Sequence, residues 1–175
     1  MDVDLAGPGQ PRPAGWRPHT HVHRFTVAAP RGQVWGWLCD PATFTDTQVG
    51  PFRVEFLGGG FETGVVTTHH GPMLHLPGVL GEIRDGEYRD LQYLYGAFAV
   101  SFRLLRPTRL QFRLEDAPGG TAVELQIDAH VRQVFLRPWE LSQRLFWRRF
   151  ETWTRRAVVG RDEAGPAAPV RSPRE

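Results

Sequence analysis

Residues Arg137 to Gly160, RPWELSQRLFWRRFETWTRRAVVG, constrain the fold more than any other part of the chain. At about 100° per residue, Trp139, Phe146, Phe150, Trp153 and Ala157 fall on one narrow stripe and Arg144, Arg148 and Arg155 on the opposite one. That is the pattern of one long amphipathic helix. Pro138 suits its first turn, where a missing N–H is harmless, and Gly160 suits the residue just past its end. Glu140 with Arg144, and Glu151 with Arg155, are i,i+4 pairs in the better order, acid first. Leaving its aromatic rings in water would forgo roughly 1.5–3 kcal/mol for each, so a second layer has to cover them.

The preceding chain supplies that layer. From His19 to Ala28 the residues alternate, with His21, His23, Phe25 and Val27 on one face, as in a first strand. Pro30 opens a short helix, PRGQVWGWL, and Asp40-Pro41 restarts a second, to about Thr47. Strands separated by turn residues follow: Phe52 to Phe56, Phe61 to His70, Val79 to Arg84, a long bent region from Tyr88 to Leu105, Leu110 to Glu115, and Val123 to Ala129. Short turns between successive strands predict an antiparallel meander, and a twisted meander curls. Its economical partner is the aromatic helix, around which it wraps while the small helix pair plugs one end.

Composition narrows the function classes. With 21 basic and 19 acidic side chains the net charge is +2, too balanced to argue for nucleic acid. Every basic residue is Arg, and there is no Lys or Asn, the mark of a GC-rich coding sequence and not of phosphate recognition. A lone Cys39 excludes an intramolecular disulfide and fits a reducing compartment. No signal peptide and no apolar run of membrane-spanning length is found, so the expectation is a cytoplasmic protein. Residues 1–18 and 161–175 are rich in Pro, Gly or charge and are expected to be disordered tails around one domain, 19–160.

The segment FTVAAPRGQVWGWLCDP at residues 25–41, the PGGTAV hairpin at 118–123, and the closing helix, in that order and spacing, resemble the START-like superfamily. This superfamily is also called SRPBCC or the birch-pollen-allergen fold, and the resemblance spans residues 19–160. It implies an α+β helix-grip fold: a curved seven-stranded antiparallel sheet wrapped around a long C-terminal helix, with two short helices after strand 1. It also implies a deep apolar cavity between sheet and helix. Members include lipid and sterol carriers, polyketide aromatases and cyclases, and hormone-binding proteins, and the fold alone does not choose among them.

On this basis the candidate cavity residues are His23, Phe25, Phe52, Phe56, His69, Tyr93, Phe112, Leu125, Phe146, Phe150 and Trp153. Their Phe and Trp content suits a small hydrophobic or aromatic ligand, to be carried or sequestered. Each is equally suited to filling a packed core. Two other readings stay open. A cyclase or dehydratase of polyketide-like substrates would draw on His23, His69, Tyr93 and Tyr95 as proton-handling groups, although Tyr93 and Tyr95 also read as strand residues with surface hydroxyls. A protein-interaction module, a homodimer among the options, would use the outer helix face with Arg144, Arg148, Arg155, Arg156, Leu141 and Leu145. His19, His21 and His23 share a strand face at metal-chelating separations, but no spaced Cys or carboxylate completes a set, so no metal and no cofactor is expected.

Overall fold

The structure, a computed structural model, describes residues 10–45, 52–71, 74–94, 98–99 and 103–163. Its elements are β1 (Arg17–Val27), α1 (Arg31–Cys39), α2 (Pro41–Thr45), β2 (Arg53–Leu57), β3 (Val66–Gly71), β4 (Leu74–Arg84), β5 (Tyr88–Tyr93), β6 (Phe98–Ala99), β7 (Leu105–Ala117), β8 (Gly120–Val131) and α3 (Leu136–Glu163). All strand pairings are antiparallel. Seven strands form one path in the order β1-β8-β7-β5-β4-β3-β2, with the two-residue β6 beside β4. The expected meander is therefore present, and β1 joins it at the β8 edge. Register shifts between Leu80 and Ile83 on β4, and between Pro107 and Arg109 on β7, insert the irregularities that bend a sheet.

Several boundaries differ from the sequence reading, each for a local reason. β4 runs straight through Pro77-Gly78, where a break was expected. Pro77 lacks a donor, but its carbonyl still accepts the Leu94 N–H at 2.9 Å. Gly78 fits because a Cβ there would lie 2.9 Å from a methyl of Leu91. The long strand expected over 88–105 is divided: β5 ends at Tyr93, and Leu105 already opens β7. β3 begins at Val66 and not at Phe61. Gly160 does not end α3, which continues to Glu163, since a glycine inside a helix costs only about 1 kcal/mol. The second half of the expected second helix, Asp46 and Thr47, lies outside the described residues. The packed region also reaches past the boundary drawn at 19, for Trp16 is buried and its ring meets the Arg106 and Arg132 guanidinium groups.

Gly120 turns the β7–β8 hairpin at φ +152°, and any Cβ there would sit 2.0 Å from the Val27 carbonyl oxygen. This close approach, with the Thr121 hydroxyl donating to the Ala29 carbonyl at 2.7 Å, fixes where the chain leaves β1 for α1. Helix α1 then packs on β7, β8 and α3. Val27, Val34, Leu38, Leu114, Val123 and Leu125 make this end of the molecule solid.

The buried stripe of α3 is Trp139, Gln143, Trp147, Phe150, Thr154 and Val158. It is rotated by roughly 60° from the stripe the aromatic spacing predicts. Phe146, Trp153 and Ala157 are only half-buried, while Arg144, Arg148 and Arg155 are exposed as expected. Phe150 touches Trp37, Phe112, Trp147 and Trp153. Phe150→Asp should destabilise the fold by more than about 4 kcal/mol in chemical denaturation, since it removes a core ring and buries a charge. Arg144→Ser should shift the midpoint by less than about 0.5 kcal/mol, and equal effects would contradict the helix orientation.

Candidate functional site

Helix α3 runs in step along β1. Trp139 Nε1 donates to His19 Nδ1 at 3.2 Å, Glu151 Oε2 lies 2.8 Å from His23 Nε2, and Arg155 Nε donates to the Thr26 carbonyl at 2.9 Å. Sixteen helical residues advance ~24 Å and seven strand residues ~23 Å, so these contacts need no bend in either element. The helix is thus pinned to the β1 edge. Over β3, β4, β5 and β7 it stands off from the sheet, and a cavity of about 520 Å³ remains between them.

Aromatic rings wall this space. Trp139, Phe146, Trp147, Phe150 and Trp153 come from α3, Phe44 from α2, Phe52 from just before β2, Phe56 from β2, and Phe112 from β7. Leu76, Leu80, Leu91, Leu105 and Leu110 complete the apolar surface. The exposed Leu145 and Arg149 of α3 and Arg53 of β2 also line it, so the mouth opens between these two elements.

A polar strip crosses the sheet side of the wall. Thr67 and His69 come from β3, Arg89 and Tyr93 from β5. The rings of His69 and Tyr93 meet edge to face with centroids 5.5 Å apart. Burial lowers the His69 pKa to about 3, with help from nearby Arg89, and raises that of the Tyr93 phenol, so both are neutral at pH 7. Burial also raises the Cys39 thiol to about 11. Arg89 is lowered by the same desolvation to about 10 and stays charged.

Of the residues expected in the cavity, Phe52, Phe56, His69, Tyr93, Phe112, Phe146, Phe150 and Trp153 line it. His23, Phe25 and Leu125 do not. His23 is engaged by Glu151, and Phe25 and Leu125 belong to the core where α3 lies directly on β1 and α1 fills the remaining space. The Tyr93 hydroxyl does not reach the surface as expected, because its strand is central and the residue is buried. Tyr95 lies outside the described residues. The three strand histidines face α3 and engage it through His19 and His23. Among the described residues no three His, Cys, Asp or Glu side chains come together as metal ligands. The most consequential residue not anticipated is Arg89. Strand alternation counted back from Tyr93 through Leu91 assigns it to the same inward face.

No protein-family model matches the chain, and no curated protein does. Solved structures do. Norcoclaurine synthase from Thalictrum flavum, in complex with dopamine and hydroxybenzaldehyde, superposes with a TM-score of 0.63 at 15% identity, over 91% of this chain and 97% of that one. Ara h 8.0201 gives 0.58 at 14% identity over 79% and 98%. The Aha1 dimer from Colwellia psychrerythraea gives 0.55 at 12% over 80% and 96%. The chain has the START-like helix-grip fold. At these identities the likeness is one of fold alone.

The neutral His69, half-buried on the cavity wall, makes a measurable demand. Between its unfolded pKa of 6.5 and its folded value of about 3, the unfolded chain binds a proton here that the folded chain does not. Stability should therefore fall as pH drops from 6.5 towards 4, with a contribution approaching 1.4 kcal/mol per pH unit, about the worth of one proton. His69→Gln should flatten that limb in urea titrations at pH 7, 6, 5 and 4. His21 and His130, whose pKa values burial also lowers, contribute in the same direction and remain in the variant.

Proposed function

We propose that the protein binds a small hydrophobic or aromatic molecule in the cavity between the sheet and α3, to carry it or keep it from water. The observation that carries this reading is the cavity itself: about 520 Å³ walled by aromatic rings, in a molecule whose other end is packed solid. Interiors close such spaces unless something occupies them. The norcoclaurine synthase structure, which holds two small aromatic molecules in this fold, supports the same reading.

Polyketide-type cyclase chemistry is the weaker alternative. His23 is outside the cavity, and His69, with a pKa of about 3, is too weak a base to take protons efficiently at neutral pH. Association through the outer face of α3 has one observation in its favour, the exposure of Leu141 (59%) and Leu145 (60%). A homodimer formed there should become monomeric in sedimentation when both are changed to Asp.

Native mass spectrometry of protein purified from its own host should reveal a co-purified small molecule, released on denaturation. Leu91→Trp, which fills the cavity from the sheet side, should abolish that occupancy while far-UV circular dichroism stays unchanged. Full occupancy in Leu91→Trp would reject the cavity as the binding site.

A further inference from the structure

Arg89 is 8% exposed, projects from the centre of the sheet, and lines the cavity. Its guanidinium carbon lies 4.6 Å from the Phe112 ring centroid, 5.0 Å from that of Phe61 and 5.4 Å from that of Phe44. Ring faces stabilise the positive charge, but the five N–H donors of a guanidinium lie in its own plane and need acceptors. Among the described residues none supplies one: Nε has no hydrogen-bond partner and no carboxylate pairs with the group. Asp90 is next in sequence but on the other face of the strand, where it takes the Arg109 Nε–H at 2.6 Å. Gly81 leaves the room for it, since a Cβ there would lie 2.1 Å from the Asp90 carboxylate.

Asp90 also borders the cavity, but its carboxylate is held by Arg109, and the other polar groups there carry no negative charge. His69 and Tyr93 are uncharged at neutral pH, as is Cys39, which lies near Arg89 but outside the cavity lining. The Thr67 hydroxyl, 1% exposed and also without a hydrogen-bond partner among the described residues, is a second donor free to face a ligand. A buried cation in a largely apolar chamber, with its Nε–H unused and no counter-charge among the described residues, calls for an anion that arrives from outside. A planar carboxylate matches the guanidinium fork, and the aromatic walls match a hydrophobic body.

We propose that Arg89 receives a carboxylate on the ligand, so that the occupant of the cavity is a hydrophobic monocarboxylic acid. This rests on the reading of the cavity as a binding site and names the class of molecule it takes. Trp139, Trp147 and Trp153 line the cavity and report occupancy by fluorescence. The test compares two matched pairs at pH 7.5 on the full chain, 2-naphthoic acid with 2-naphthamide and dodecanoic acid with dodecanol. Whichever pair binds better distinguishes a flat aromatic acid from a fatty acid.

In the wild type the acid should bind about tenfold or more tighter than its neutral partner, the worth of one charged hydrogen-bonded contact. Arg89→Met should bring that ratio to about one by weakening the acid alone, and its melting temperature without ligand should equal or exceed the wild type's, because an unpaired buried charge has been removed. Arg89→Lys should keep part of the preference. A ratio near one in the wild type, or one that survives in Arg89→Met, overturns the proposal. If Arg89→Met does not fold, the wild-type and Arg89→Lys ratios decide by the same criteria. Neutral partners that bind without any preference for the acids overturn the carboxylate assignment and leave the cavity reading standing, whereas no binding by any of the four compounds removes both.

Discussion

Helix α3 is fastened to one edge of the sheet, and that asymmetry organises the rest of the molecule. Trp139, Glu151 and Arg155 hold it along β1 through His19, His23 and the Thr26 carbonyl. Glu151 serves both neighbours, with one oxygen near His23 and the other 2.9 Å from Arg155. A helix held at one edge of a curved sheet cannot also lie flat on the far strands. The cavity lies over β3, β4, β5 and β7, away from the edge where the helix is tied, with Phe44 of α2 at its wall. The cavity thus follows from where the helix is tied and from the size of the plug.

The same asymmetry sorts the polar side chains. On β1, His19 and His23 have partners on α3 because helix and strand are in contact there. On β3 and β5 the inward Thr67, His69, Arg89 and Tyr93 face space instead. Outward from β5, Tyr88 donates to Gln111 at 3.0 Å and Asp90 pairs through Oδ2 with Arg109, so the charges on that side of the strand are matched. One strand therefore carries a paired charge on one face and, among the described residues, an unpaired cation on the other. A polar group that served only stability would be expected among the former.

How far this was legible in the sequence depends on the kind of signal. The strand–helix–helix–meander–helix order, the inward face of β1 and the alternation of β8 all follow from period and turn chemistry, and the structure has them. The rotation of α3 did not follow, because the aromatic spacing marks Trp139, Phe146, Phe150 and Trp153 without revealing that Gln143, Thr154 and Val158 are buried and Phe146 and Trp153 only half so. Hydrophobicity ranks residues by what they prefer. A helix beside a cavity turns some of its largest rings, here Phe146 and Trp153, towards that space, where they stay only half-buried. The misassignment of Phe25 and Leu125 has the same origin, since alternation names the inward face of a strand but not whether a helix or a void lies over it.

Arg89 is the sharper case. Read as a residue type it belongs on a surface, in a chain where all 21 basic side chains are Arg. Only the alternation Arg89, Leu91, Tyr93 points inward, and it competes with Tyr88, Asp90 and Gln92, an equally plausible outer set for any edge strand. What decides is topology: β5 lies between β4 and β7, so its inward face is covered by α3 and its outward face is free to hold Asp90 with Arg109. The direction of a charge in a central strand is a property of the sheet order. That is why this cation, unlike the histidines of β1, becomes visible only once the strands are paired, and why its missing counter-charge points to the ligand and not to another part of the described fold.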